Sequence, residues 1–135
     1  MSRTVVLLLG ILLSITRAVA GPVPGWTPGV WANEDTVQLT TDRSDEGPYT
    51  FPVWVVVVDD QVYVRLGDRA ADRVQKSKSA PFVGVTVAGQ RFDKVRCEPA
   101  PDQAPRVAEA IGKKYTSDLI IRYFSHPLTC RLVPE

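Results

Sequence analysis

A chain of 135 residues has room for one domain and a short leader, and little else. Its 16 Lys and Arg against 15 Asp and Glu give a net formal charge of +1, with the signs interspersed. That balance excludes the basic footprint of a nucleic-acid binder, and two distant cysteines with one histidine exclude metal-ligand spacing.

The chain starts with a targeting pattern. Met1-Ser2-Arg3 is a short positive start, Thr4 to Ile15 an apolar run, and Ala18-Val19-Ala20 the small-x-small signature read by signal peptidase. Residues 1–20 therefore read as a Sec-type signal peptide, and the mature chain as exported to a periplasm or the extracellular space. A retained anchor is the alternative. A spanning helix needs roughly 20 apolar residues, and Arg17 interrupts this one. Two of the basic residues, Arg3 and Arg17, lie in this leader, so the mature part is near neutral.

Residues 21–35 read as a linker and N-terminal arm. Gly21-Pro22-Val23-Pro24-Gly25 disfavours helix and ladder alike. Trp26 and Trp31 are expected to fold over an apolar surface, sealing one end of the domain rather than stacking on a ligand.

The domain proper spans residues 36–135. Thr36 to Thr40 alternates as a half-buried strand does, and Asp42 to Pro48 is a polar turn. Phe51 to Val58, turning at Asp59-Asp60 into Gln61 to Arg65, is the most apolar run of the mature chain and predicts a central hairpin. A two-residue turn sets Val57 against Val62, Val55 against Val64 and Trp54 against Arg65. Val53, Val55, Val57, Val62 and Val64 then line the interior. Trp54, Val56, Tyr63 and Arg65 share an outer face too apolar for open water, which a subunit, a helix or a flat aromatic ligand would cover.

Asp68 to Lys78 reads as a short exposed helix. Phe82 to Val87 and Gln90 to Cys97 form a second hairpin about Ala88-Gly89. Strict alternation along its second arm opposes Phe92, Lys94 and Arg96 to Arg91, Asp93 and Val95. Neither face is then purely apolar, which predicts an edge or rim. Asp102 is a candidate cap for a helix reaching Tyr115, with Val107, Ile111 and Tyr115 on one stripe. Leu119 to Phe124 reads as a short helix or link, and Leu128 to Val133 as a closing strand. The fold class is mainly β with two or three short helices (α+β), built as a small closed or nearly closed barrel.

Cys97 and Cys130 are expected to pair in an oxidising compartment, the alternative being two buried free thiols. Their disulfide would close a loop of about 33 residues, for which chain entropy gives roughly 3–4 kcal/mol.

Catalytic groups are scarce. His126 precedes Pro127 in a turn and reads as structural. Neither a nucleophile elbow nor a GxxxxGK phosphate loop is present. The basic residues after the central hairpin carry more chemistry. Arg69, Arg73 and Lys76 fall at i, i+4 and i+7 of one helix, and with Arg65 they could grip a phosphate. A solvated helix face punctuated by Asp68 and Asp72 is the plainer reading.

Val37-Gln38-Leu39-Thr40-Thr41, Phe51-Pro52-Val53-Trp54-Val55-Val56-Val57, Val62-Tyr63-Val64-Arg65 and Leu128-Thr129-Cys130-Arg131-Leu132-Val133-Pro134 together resemble the flavin-binding split barrels. These are the pyridoxamine 5′-phosphate oxidase-like proteins, including the deazaflavin (F420)-dependent branch and uncharacterised relatives. The resemblance covers most of the mature chain, with Pro-Val-Trp and Val-Tyr-Val-Arg its best motifs. It implies a homodimeric split barrel with FMN or F420 at the subunit interface. Pro52, Val53 and Trp54 would flank the ring, while Arg65, Arg69 and Arg73 would hold the phosphate. It also implies an oxidoreductase passing hydride to a small acceptor; the alternatives are a module that binds a flavin, haem or other planar ligand without turnover, and a structural barrel that has lost its cofactor. Two departures stand out. Asp45-Glu46-Gly47-Pro48-Tyr49 replaces the basic residues often found before Pro-Val-Trp, and an exported chain would have to acquire flavin outside the cytoplasm.

Overall fold

The structure, a computed structural model, describes residues 23–115 and 128–135. The leader, the Leu119–Phe124 segment and His126 lie outside the described residues. Six strands form one sheet: β1 (Thr36–Arg43), β2 (Gly47–Val58), β3 (Gln61–Leu66), β4 (Phe82–Val87), β5 (Gln90–Pro99) and β6 (Leu128–Pro134). Their spatial order is β1-β2-β3-β6-β5-β4, and β4 pairs back to β1, closing an antiparallel barrel. The last strand in sequence thus fills the space between β3 and β5. Closure pairs every strand on both sides, which removes the exposed edges a small sheet would otherwise present.

The central hairpin follows from its turn. Asp59 and Asp60 both take positive φ, 51° and 64°, as a two-residue turn matched to strand twist requires. Val55 stands opposite Val64 and Val57 opposite Val62, as the valine pattern predicts. Val53, Val55, Val62 and Val64 are buried in the barrel, and Val57 packs on the same core.

The second hairpin corrects the sequence reading. Its strand β5 is no edge, since it lies between β4 and β6. Val83 pairs with Val95 but Val85 pairs with Phe92, so Asp93 and Lys94 together oppose Gly84. This is a β-bulge, and one extra residue resets the alternation. Phe92, Val95 and Cys97 consequently all point inward and are buried.

Helices and the arm close what the strands leave open. At the end of the barrel near the β1–β2 loop, α2 (Asp68–Lys76) sets Ala70, Ala71 and Val74 against the core. At the other end the arm carries a short helix, α1 (Pro28–Trp31), and the expected tryptophan seal. The Trp26 ring lies 4.3 Å from Trp31 and 5.1 Å from Phe92, both edge-on, and Trp31 is buried. A 3₁₀ turn, Pro101–Gln103, leads into α3 (Ala104–Lys114), whose cap position is Gln103, without a side-chain cap bond. Asp102 therefore does not serve as the cap.

The outer face of the central hairpin is covered from within. Val107 and Ile111 of α3 pack on Val56, Tyr63 and Ala100 in a second apolar cluster. Arg106 ties the same helix to Asp59 in the turn. Of the three covers the sequence left open for this face, a helix is the one built.

Cys97 and Cys130 are free thiols, both buried, on neighbouring strands. One polar group in the core lacks a partner. The Thr41 hydroxyl is buried without a hydrogen bond among the described residues, and an unsatisfied buried hydroxyl costs about 1–3 kcal/mol. Thr41→Val keeps the shape and removes the hydroxyl. It is expected to raise unfolding stability in urea by about 1 kcal/mol; a loss of stability would show that the hydroxyl is solvated or bonded.

Candidate functional site

Three surfaces carry chemistry. The first is the outward side of β1, β2 and β4. Register places Gln38 beside Pro52 and Thr86, and Thr40 beside Thr50 and Gly84. Successive residues of a strand face opposite ways, so these six share one side, behind Val37, Leu39, Val53 and Val85, which face the core. The Thr40 and Thr50 hydroxyls are 2.8 Å apart. Arg91, from β5, lays its guanidinium over β4. One nitrogen is 3.3 Å from the Thr40 hydroxyl, and Nε donates to Asp93 at 3.0 Å. Gly84 makes this possible: a Cβ there would stand 2.5 Å from the guanidinium. The result is a patch of uncharged side chains bordered by one cation, with Thr50 and Pro52 exposed.

The second surface joins that patch to α3. Trp54 faces outward on β2, and its ring lies flat on Tyr115, with centroids 4.3 Å apart and planes 3° from parallel. The Tyr115 hydroxyl accepts from the Val55 amide at 3.2 Å and donates to the Asp35 carbonyl at 2.6 Å. Lys114 donates to the carbonyls of Glu34 at 2.6 Å and Val55 at 2.9 Å. Burial holds the Lys114 ammonium below the usual lysine range, although Asp35 and Glu34 pull it back up, and burial raises the Tyr115 phenol. Both side chains are used in fastening α3 to the barrel.

The third surface is a groove of about 320 Å³ at the arm end. Val23, Trp26 and Pro28 form one wall, with Asp60, Gln61 and Leu132 on the other.

The residues expected to hold a cofactor do not converge. Val53 is a core residue, 8% exposed, and faces away from any ring bound outside the barrel. Pro52 and Trp54 do face outward. The hairpin register, extended by one pair, puts Arg65 beside Trp54, and Arg65 also pairs with Thr129. Arg69 is exposed on α2. Arg73 is engaged: it meets Glu46 at 3.1 Å and sits 4.1 Å over the Tyr49 ring, and Glu46 raises its pKa. Lys76 pairs with Asp72 at 2.9 Å, and that hydrogen bond holds the Asp72 carboxyl below its usual range. Two of the α2 cations are thus paired with acids, Arg73 with Glu46 of the β1–β2 loop and Lys76 with Asp72 of its own helix. Arg91 went unnoticed because strict alternation set it on a mixed edge; only the bulge and Gly84 show where its side chain goes.

A closed six-stranded antiparallel barrel with short helices at its two ends and a longer one on one flank defines the architecture as a split barrel. No family model matches the chain, and no curated protein matches it. Solved structures do. The chain is similar to HutZ, the heme storage protein from Vibrio cholerae, with a TM-score of 0.57 and 17% identity over 76% of this chain and 83% of that one. It is also similar to a FAD-binding protein from Mesorhizobium loti, with a TM-score of 0.52 and 18% identity over 79% of this chain and 84% of that one. At these identities the likeness establishes the fold. Among the described residues there is no cluster of three metal-binding side chains, and no helix long and apolar enough to cross a membrane.

Because the Lys114 pKa is lowered on folding, the unfolded chain binds more protons between that value and the ordinary 10.5. Stability then rises with pH across this window. Lys114→Met is expected to flatten that rise while Lys113→Met leaves it intact, as read by urea unfolding at alkaline pH. An unchanged slope would mean that the ammonium is solvated.

Proposed function

We propose that this chain is a flavin-binding split barrel whose cofactor lies on the outward face of β1, β2 and β4. The single observation that carries the reading is the uncharged outward patch of Gln38, Thr40, Thr50, Pro52 and Thr86 ending on Arg91. An isoalloxazine or deazaflavin ring is planar, with polar edges. It fits a surface where hydroxyls and an amide point outward and no charged side chain intervenes. The ring would rest over Pro52, with Trp54 at its margin. Arg91 and the Thr40–Thr50 hydroxyl pair would take the phosphate, because a guanidinium offers paired donors to phosphate oxygens. Arg65 borders the ring end, Arg69 stands outside the patch, and Arg73 is withdrawn from the phosphate set by Glu46.

The fold likeness to a protein described as FAD-binding supports this reading, and likeness to a heme storage protein makes haem the second ligand to test. Flavin fits the patch better, since none of the patch residues carries an imidazole that could ligate haem iron. A patch open on one side leaves half the ring in water. A second copy of the chain would cover it, which makes a homodimer part of the proposal. When bound, the flavin supplies hydride chemistry. The chain binds it, orients it and limits access of water, and the patch residues among those described bring hydroxyls, an amide and the Arg91 guanidinium to the ring. Cofactor binding is accordingly the core of the proposed function, and hydride transfer to a small acceptor its extension. Acquisition of the flavin outside the cytoplasm goes with the exported reading of residues 1–20.

The test is a titration of the full-length chain with FMN, F420, riboflavin and haem, followed by visible absorbance and fluorescence quenching. FMN is expected to bind more tightly than riboflavin, which lacks the phosphate. Arg91→Ala is expected to weaken FMN about tenfold, about 1.4 kcal/mol, and to leave riboflavin unchanged. Arg73→Ala is expected to leave FMN affinity as it was. A folded chain that binds neither flavin nor deazaflavin overturns the proposal, and selective haem binding moves it to the second ligand.

A further inference from the structure

We propose that Cys97 and Cys130 form a redox pair which closes as a cross-strand disulfide, stapling β5 to β6 at the seam where the last strand completes the barrel. The placement comes from register. Cys97 stands opposite Leu132, and Cys130 stands opposite Pro99. The cysteines are therefore diagonal neighbours on the same side of the sheet. Both side chains face the interior, 4% and 1% exposed, and both belong to the main core cluster. The two thiols lie close enough that their contact, with burial, raises the Cys97 pKa.

Thiol–disulfide exchange can begin at either cysteine with the same balance of atoms and electrons, shown by the case in which Cys130 reacts first. With glutathione disulfide as oxidant, the Cys130 sulfur attacks one glutathione sulfur, the glutathione S–S bond breaks, and one glutathione leaves as thiolate. Cys97 then loses its proton and attacks the Cys130 sulfur of the mixed disulfide, expelling the second glutathione. Two thiols and one glutathione disulfide become one protein disulfide and two glutathiones, so two electrons pass to the oxidant.

The position gives the bond a consequence. β6 is held between β3 and β5 by strand pairing and by the packing of Cys130 and Leu132 in the core, with no covalent tie. The segment between the two cysteines includes α3, which covers the outer face of the central hairpin. A bond between Cys97 and Cys130 therefore locks together the closing strand, the helix and the barrel wall. The inference needs no particular compartment, only an oxidising thiol–disulfide poise.

Burial would hinder oxidation of the folded chain, so the experiment passes through the unfolded state. The full-length chain is unfolded in guanidinium with reductant, then refolded in glutathione buffers of graded redox ratio. Remaining thiols are alkylated under denaturing conditions, and peptides are mapped by mass. The expected result is joint loss of both thiols, a peptide linked through Cys97 and Cys130, and an unfolding equilibrium shifted about a hundredfold or more toward the native state. Dithiothreitol should reverse all three. Cys97→Ala should leave Cys130 trapped as a glutathione adduct, and that readout does not depend on the variant folding. Full alkylation of both cysteines after refolding in glutathione disulfide would overturn the proposal, as would cross-links found only between chains.

Discussion

The structure depends on the pairing of β6 between β3 and β5. These are the last residues of the chain, Leu128–Pro134, yet they occupy the middle of the sheet. Without them β3 and β5 would each present an open edge, and the interior valines would face water between them. With them the hairpins become a closed wall, and both ends can be plugged, by α2 on one side and by the Trp26–Trp31–Phe92 cluster on the other. Such non-local closure is costly in chain entropy. Offsetting it, the inward-facing residues of β6, Cys130 and Leu132, are almost wholly buried.

The central hairpin was legible from sequence because its constraints are local. Two turn residues fix the register, and a valine at every second place fixes the face. The tryptophan seal was legible for a similar reason, since large apolar rings in a Gly/Pro-rich arm have few places to go. The bulge in β5 was not legible. Nothing in Asp93-Lys94 announces an extra residue, and without it Phe92 and Val95 fall on opposite sides. The cover of the outer face was half legible. The stripe of Val107, Ile111 and Tyr115 identified a helix needing a partner, and Val56 and Tyr63 identified a wall needing a cover. Residues about fifty apart cannot declare from sequence that they meet.

The candidate site was less legible than the fold. Alternation already assigned Val53 to the interior, which conflicts with a role beside an external ring; the structure resolves that conflict in favour of the core. Arg73 looked available until the fold brought Glu46 and Tyr49 against it. Conversely, the patch now assigned to the cofactor is made of residues that carry no signal singly: threonines, a glutamine, a proline and a glycine. Its character comes from being assembled on β1, β2 and β4, and from the absence of a side chain at Gly84, which lets Arg91 lie across the strand. Lack of charge across neighbouring strands is a property of a surface, so it appears only once the strands are in register.

The location of the flavin on this patch is the central claim, and amide chemical-shift mapping of the labelled full-length chain tests it most directly. On addition of FMN, the account predicts shifts concentrated at Gln38, Thr40, Thr50, Trp54, Thr86 and Arg91, with the arm-end groove around Trp26 and Gln61 unaffected. Shifts centred on that groove, or confined to α2 near Arg69 and Arg73, would contradict it.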